Sequence, residues 1–169
     1  IGSGGYGGDL SWIWKNFELY KNNNLIDAIN HNEFYGNRTP LLYVINILFN
    51  PFINSIDSYR LSIFIVSLLG PLILYLCLKE KYKKVDKKIL FLISSILLLS
   101  PYYRTSSVWG MEILYGIITM LISIYYIIKL DNKNKAHFFD ILKLTFFSSM
   151  TLYFDQKLLF VPILALIRI

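Results

Sequence analysis

Residues 61–78, LSIFIVSLLGPLILYLCL, run for 18 positions without a charge. As a helix rising 1.5 Å per residue, such a run covers about 27 Å, enough to cross the hydrocarbon core of a bilayer. Gly70-Pro71 at its centre would break a strand or kink a helix in water. A membrane helix tolerates the pair when neighbouring elements satisfy the freed backbone groups. Two further runs, 89–103 and 113–128, are uncharged over 15 and 16 residues. Composition points the same way: 55% of the 169 residues are hydrophobic, 17% are charged, and mean hydropathy is +0.49. That balance excludes a disordered chain, and a single cysteine excludes a disulfide scaffold. Cys77, inside an apolar run, reads as packing rather than as a reactive thiol.

The expected fold is therefore all-α, a polytopic transmembrane helical bundle. Its spans fall near 61–78, 89–103, 108–128, 141–154 and 158–169, and residues 1–60 form an extracytoplasmic loop with juxtamembrane amphipathic helices. The last two spans are read as short helices meeting at a membrane face, because Asp155-Gln156-Lys157 would be costly at mid-bilayer depth. The chain starts at Ile1 and ends in the apolar run LLFVPILALIRI, which reads as an internal piece of a longer polytopic protein. No signal-peptide pattern is visible.

The net charge of +6 is concentrated in two places. Residues 79–88, KEKYKKVDKK, carry +4, and residues 129–143, KLDNKNKAHFFDILK, carry +2; elsewhere the charges cancel. Short basic loops between apolar runs are what the positive-inside bias produces, so nucleic acid is not an expected partner. Two helices separate the loops, which puts both on one side, the cytoplasmic one. Residues 1–60, a short turn at Pro101 to Ser107 and the Asp155 turn then face the other side.

Within the outer stretch, Leu10, Ile13, Trp14, Phe17 and Tyr20 recur at helical spacing, with Lys15, Glu18 and Lys21 mostly off that face. This is an amphipathic helix expected to lie along the membrane, with Trp12 and Trp14 at headgroup level. A short second helix is expected near Leu25 to Ile29. Residues 41–50, LLYVINILFN, are too short to span between Pro40 and Pro51 and read as a juxtamembrane or partly inserted helix.

Candidate functional residues lie outside the lysine loops. The glycines of GSGGYGGD lack the strand and βαβ frame of a dinucleotide fingerprint and read as a turn. Asp9, just before the amphipathic helix, is either its N-cap or a working carboxylate. Arg38, beside the rigid Pro40 turn, can hold a phosphate by paired hydrogen bonds or contact lipid headgroups; Asn37-Arg38-Thr39 also fits a glycosylation sequon. Arg104 and Glu112 flank the Pro101 turn, either as functional groups or as an ion pair, and Asp155 and Lys157 present the same choice. His31 and His137 are isolated, so no metal-ligand spacing exists, and no nucleophile elbow or triad appears.

The order of these features resembles the N-terminal half of integral-membrane glycosyltransferases of the GT-C class, particularly the lipid-linked-sugar family that includes protein mannosyltransferases and aminoarabinose transferases. The resemblance rests on Asp9 leading into surface helices, Arg38-Thr39-Pro40-Leu41-Leu42-Tyr43, Tyr59-Arg60-Leu61, Ser100-Pro101 with Glu112, and Asp155-Gln156-Lys157. It implies sugar transfer from a polyprenyl-phosphate donor on the extracytoplasmic side. Asp9 takes the place of the first-loop acid that acts as catalytic base or positions the acceptor. Arg38 takes that of the basic residue before a Pro-Pro-Leu segment, with Thr39 in place of the first proline. Glu112 takes that of a second acid, more often aspartate, and Lys157 that of the lysine in a Thr-Lys-Gly element.

A carboxylate at that boundary can accept a proton from a hydroxyl while a cation stabilises charge on the departing lipid phosphate. The implied partners are the bilayer, the lipid-linked sugar donor and an acceptor. No cofactor is evident, and a divalent metal requirement is left open. The implied location is a bacterial inner membrane. The rival readings are a transporter or lipid-flippase-like protein, with the same charges lining a polar path, and a noncatalytic membrane scaffold.

Overall fold

The computed structural model describes residues 6–34, 40–132 and 137–169, and among these every regular element is helical. Ten α-helices follow one another: α1 (Ser11–Asn22), α2 (Leu25–Ile29), α3 (Pro40–Phe49), α4 (Ile56–Ser67), α5 (Leu69–Lys81), α6 (Lys87–Ser95), α7 (Pro101–Val108), α8 (Glu112–Asp131), α9 (Phe138–Phe154) and α10 (Phe160–Arg168). A single π turn, Tyr6–Leu10, leads into α1, and 3₁₀ turns occupy Ile96–Leu99 and Gln156–Leu158.

Two stretches are long and apolar enough to cross a membrane: Ile56–Lys81, which joins α4 and α5, and Glu112–Asp131. The first begins five residues earlier than the run 61–78, because Ser55 caps it by accepting from the Ser58 amide. In its most apolar window only 28% of residues are buried inside the protein. Large apolar side chains such as Leu61, Phe64, Ile65 and Leu72 are exposed along it.

The expected span 89–103 is not one straight helix. Ser100 accepts from the Tyr103 amide and Pro101 takes the first position of α7, so the chain restarts as a new helix bent by 67°. Only if this bent pair is counted as one span does the number of candidate crossings rise to three. The expected turn at Pro101 to Ser107 is thus a helix, and the chain turns at Trp109–Met111 instead. The expected final spans become α9, of 17 residues, and α10, of nine, which covers only about 13 Å.

Pro71 cannot donate to the carbonyl four residues earlier, which belongs to Ser67. The Tyr103 hydroxyl of α7 donates to that carbonyl, and Gly70 leaves room for the ring, since a Cβ there would overlap the phenol. α8 packs against both α5 and α9. Cys77 Sγ lies 3.3 Å from the Leu121 carbonyl at the first contact, and Thr151 Oγ1 bonds Thr119 Oγ1 at 3.0 Å at the second.

The helices within residues 1–60 do not lie apart from the long apolar stretches. Leu10 of the π turn, Ile13, Phe17 and Tyr20 of α1, Leu42 and Tyr43 of α3, Tyr59 and Ile63 of α4, Tyr103 of α7, and Leu114 and Ile118 of α8 belong to one buried cluster. Phe17 meets Tyr43 and Tyr59 edge-on at 5.0 and 4.8 Å, an arrangement the aromatic quadrupole favours. The apolar face of α1 is therefore consumed by protein rather than offered to lipid, and residue 60 is not a packing boundary. Trp12 remains 43% exposed, while Trp14 packs on the cluster. Tyr20 is buried with no hydrogen-bond partner for its hydroxyl among the described residues, and burial pushes its pKa up to about 12.

Candidate functional site

A cavity of about 500 Å³ opens at the end of α8 that carries Glu112. Asp9, Glu112, Asp155 and Lys157, from three places in the sequence, all line it.

Local chemistry fixes each of them. Asp9 lies in the π turn, where Leu10 is buried and the Ser11 hydroxyl donates to the Gly8 carbonyl at 2.8 Å. It is not a helix N-cap: the residue preceding α1 is Leu10, already in helical conformation, and no side chain caps there. Glu112 opens α8, where a carboxylate complements the positive end of the helix dipole. It is held there by the Trp109–Met111 turn, in which Gly110 has φ +63°. A Cβ on Gly110 would stand 2.5 Å from Tyr59 Cε1, so both conformation and space require glycine.

That turn is clasped from α4. The Tyr59 hydroxyl donates to the Gly110 carbonyl at 2.7 Å, and Arg60 Nε donates to the Val108 carbonyl at 3.1 Å. The Arg60 guanidinium also lies 5.2 Å from the centre of a Trp109 ring, in cation–π range.

Asp155 and Lys157 form the predicted turn between α9 and α10. One Asp155 oxygen accepts from the Lys157 amide at 2.9 Å, so the contact between them is a backbone cap and not an ion pair. This turn sits against Gly116, one helical turn beyond Glu112. A Cβ at Gly116 would lie 3.5 Å from Phe154 Cβ and 3.6 Å from Asp155 Cβ, so the bare backbone permits the approach. Tyr115 stacks on Phe154 at 5.5 Å and donates its hydroxyl to Asn46 of α3 at 3.3 Å.

Arg104 is not brought in. On α7 the lining residues Tyr102, Thr105 and Ser106, continued by Trp109, share one face, and Arg104 lies off that face, exposed. The alternative Arg104–Glu112 ion pair does not form. Arg38 lies outside the described residues. The lining from α7, together with Met111, was missed by sequence reasoning. The i, i+3, i+4, i+7 spacing of 102, 105, 106 and 109 is its signal, readable only once 101–108 is recognised as a helix.

The cavity gathers three carboxylates and one ammonium group beside hydroxyl and aromatic side chains. The carboxylates can accept protons and hold hydroxyl groups, and Lys157 can neutralise an anion. The Asp155 carboxylate is also within electrostatic reach of the Tyr102 hydroxyl. Among the described residues, no group of three His, Cys, Asp or Glu side chains is close enough to hold a metal ion.

The opposite end of α8 is basic. Asn132 Nδ2 donates to the carbonyl and carboxylate of Glu80 at 3.0 and 2.9 Å, which joins the lysine-rich segments 79–88 and 129–143. Lys129 pairs with Asp140 at 2.9 Å, and Arg168 pairs with Asp131. Glu112 and Asp131 are separated by the 20-residue length of α8, about 30 Å. Comparison with protein-family models, curated proteins and solved structures gives no match for this chain.

Proposed function

We propose that the protein is a membrane glycosyltransferase of the GT-C kind, which moves a sugar from a polyprenyl-phosphate donor to an acceptor hydroxyl. The observation that carries the reading is the convergence of Asp9, Glu112, Asp155 and Lys157 on one cavity at the end of α8 remote from the lysine-rich segments. In this reading the lysine segments face the cytoplasm of a bacterial cell, and the cavity opens at the outer boundary of the inner membrane. The helices form a polytopic bundle through which a lipid donor reaches the cavity laterally.

The reaction is an inverting displacement. The acceptor oxygen attacks the anomeric carbon as the bond from that carbon to the phosphate oxygen breaks. Asp9 takes the acceptor proton, and the electron pair of the broken bond leaves with the phosphate, where Lys157 offsets the growing charge. Glu112 and Asp155 hold sugar or acceptor hydroxyl groups. Arg38 keeps the phosphate-holding role that the resemblance implies.

The polar residues between α8 and α9 favour this reading over a transport path. Thr119, Ser123, Ser148 and Thr151 each donate to a carbonyl of their own helix, so they serve packing. The test is Asp9→Asn in the intact protein with radiolabelled polyprenyl-phosphate sugar. Transfer is expected to fall at least a hundredfold with donor binding retained; unchanged turnover rejects the role of Asp9. Vectorial lipid movement without transfer would instead identify a flippase, and no donor binding at all a scaffold.

A further inference from the structure

The second feature with the makings of a site lies at the far end of the molecule. A cavity of about 360 Å³ is bounded by the last turn of α5, the first turn of α6 and Tyr125 of α8. Lys79, Lys83 and Lys87 line it. Lys83 is engaged by Glu80 at 3.5 Å, and Glu80 is itself held by Asn132, whereas Lys79 and Lys87 make no ion pair among the described residues. The intervening turn is closed by the Val85 amide, which donates to the Tyr82 carbonyl at 3.2 Å, and Asp86 spends its carboxylate on the Lys88 amide at 2.7 Å. Glu80, which also lines the cavity, and Asp86 beside it are thus committed within the protein, and the two remaining ammonium groups come from two different helices, α5 and α6.

The rest of the lining is apolar or amphipathic. Leu76, Val85, Leu90 and the Tyr82 and Tyr125 rings complete it. Leu76 and Val85 of the lining are exposed, as are Leu72 on α5 and Ile89 and Leu92 on α6, which continue the apolar surface beyond it. The mouth therefore lies where an apolar surface meets a basic one, which is the position of a lipid phosphate in a bilayer.

We infer that this cavity is a binding site for the phosphodiester headgroup of an anionic membrane lipid, with Lys79 and Lys87 as its phosphate ligands and the exposed side chains of α5 and α6 receiving the acyl chains. A soluble phosphate would match the lysines but leave the adjoining apolar surface uncovered; a lipid satisfies both. The site is independent of the cavity at Asp9, and its existence does not depend on the reaction proposed there.

The test uses the full chain in mixed micelles, with phosphatidylglycerol and phosphatidylcholine as probes and native mass spectrometry as the readout. The unaltered chain is expected to retain phosphatidylglycerol at least tenfold more strongly than phosphatidylcholine, a result that does not depend on any variant folding. The double variant Lys79→Gln with Lys87→Gln should abolish the preference. Lys81→Gln with Lys84→Gln removes the same charge from the same segment outside the cavity and should keep it. Equal loss in both variants would reduce the effect to diffuse charge and overturn the site. Absence of the preference in the unaltered chain would overturn it as well. Glycerophosphoglycerol, the same headgroup without acyl chains, should not compete at equal concentration; if it does, the site takes a soluble anion and the lipid assignment fails.

Discussion

The hydroxyl of Tyr59 donates to the carbonyl of Gly110 at 2.7 Å, across 51 residues of sequence, and so fixes the turn from which Glu112 starts α8. Tyr59→Phe removes the donor and leaves a buried carbonyl without a partner, at an expected cost of about 1–2 kcal/mol. Gly110→Ala should cost more, because the positive φ and the Tyr59 ring both oppose a Cβ. Thermal unfolding in detergent checks the order; Gly110→Ala no worse than Tyr59→Phe would contradict the clasp.

Gly116 offers a graded test of how the Asp155 turn is seated. Alanine there meets Leu158 Cδ1 at 3.2 Å, the movable tip of a side chain, and should be nearly neutral. Gly116→Leu has no such escape and should cost about 1–3 kcal/mol by overpacking while displacing Asp155 from the cavity. Cross-linking between cysteines placed at Glu112 and Asp155 reads the displacement directly, and equal yields in Gly116→Leu and the parent would contradict it.

The cavity also separates two basic residues that look alike in sequence. Lys157→Met is expected to weaken binding of a polyprenyl-phosphate sugar about tenfold or more, the loss of one charge-assisted contact. Arg104→Ala, which changes an exposed side chain on another face of α7, should leave binding within about twofold. Equilibrium binding with labelled donor distinguishes them, and the reverse ranking would move the phosphate site to α7.

Tyr20 predicts a response to alkali. Its folded-state pKa is raised from 10.0 to about 12, so this contribution to stability is intact below pH 10 and declines as pH rises from 10 to 12, where the unfolded chain ionises first. Tyr20→Phe removes a buried hydroxyl that has no partner among the described residues and should raise stability at neutral pH by up to about 1 kcal/mol. It should also flatten the decline above pH 10. A loss of stability at pH 7 in this variant would show that the hydroxyl is bonded after all.

Sidedness is open to labelling. With the buried Cys77 replaced by alanine, cysteines introduced at Lys84 and at the exposed Glu18 should react with an impermeant maleimide from opposite compartments. Reaction of both from one side would remove the premise of the proposed chemistry.

What sequence made legible was local. The buried stripe of α1 follows from 3.6-residue periodicity, α2 begins at an Asn24 cap, and Asp155-Gln156-Lys157 is too polar to continue a helix, so each emerges where expected. The common end of the two lysine segments followed from counting helices between them. The destination of the α1 stripe was not legible, because burial against Tyr43 and Tyr59 and burial against lipid demand the same pattern. Nor was the helix after Pro101: Ser-Pro signals a break with equal force whether a turn or a new helix follows, and only the accommodation of Tyr103 beside Gly70 decides it. The cavity depended on both, so four of its ionisable groups were visible individually while their meeting place was not.

The proline at position 71 would ordinarily make a flexible elbow. Here the slack acceptor it creates is latched by a phenol supplied 36 residues later, so the elbow cannot flex unless α7 travels with it. The apolar stretch 56–81 is thus not self-sufficient: one of its backbone oxygens is satisfied from residues 101–108, so the straightness of one helix is guaranteed by the docking of another.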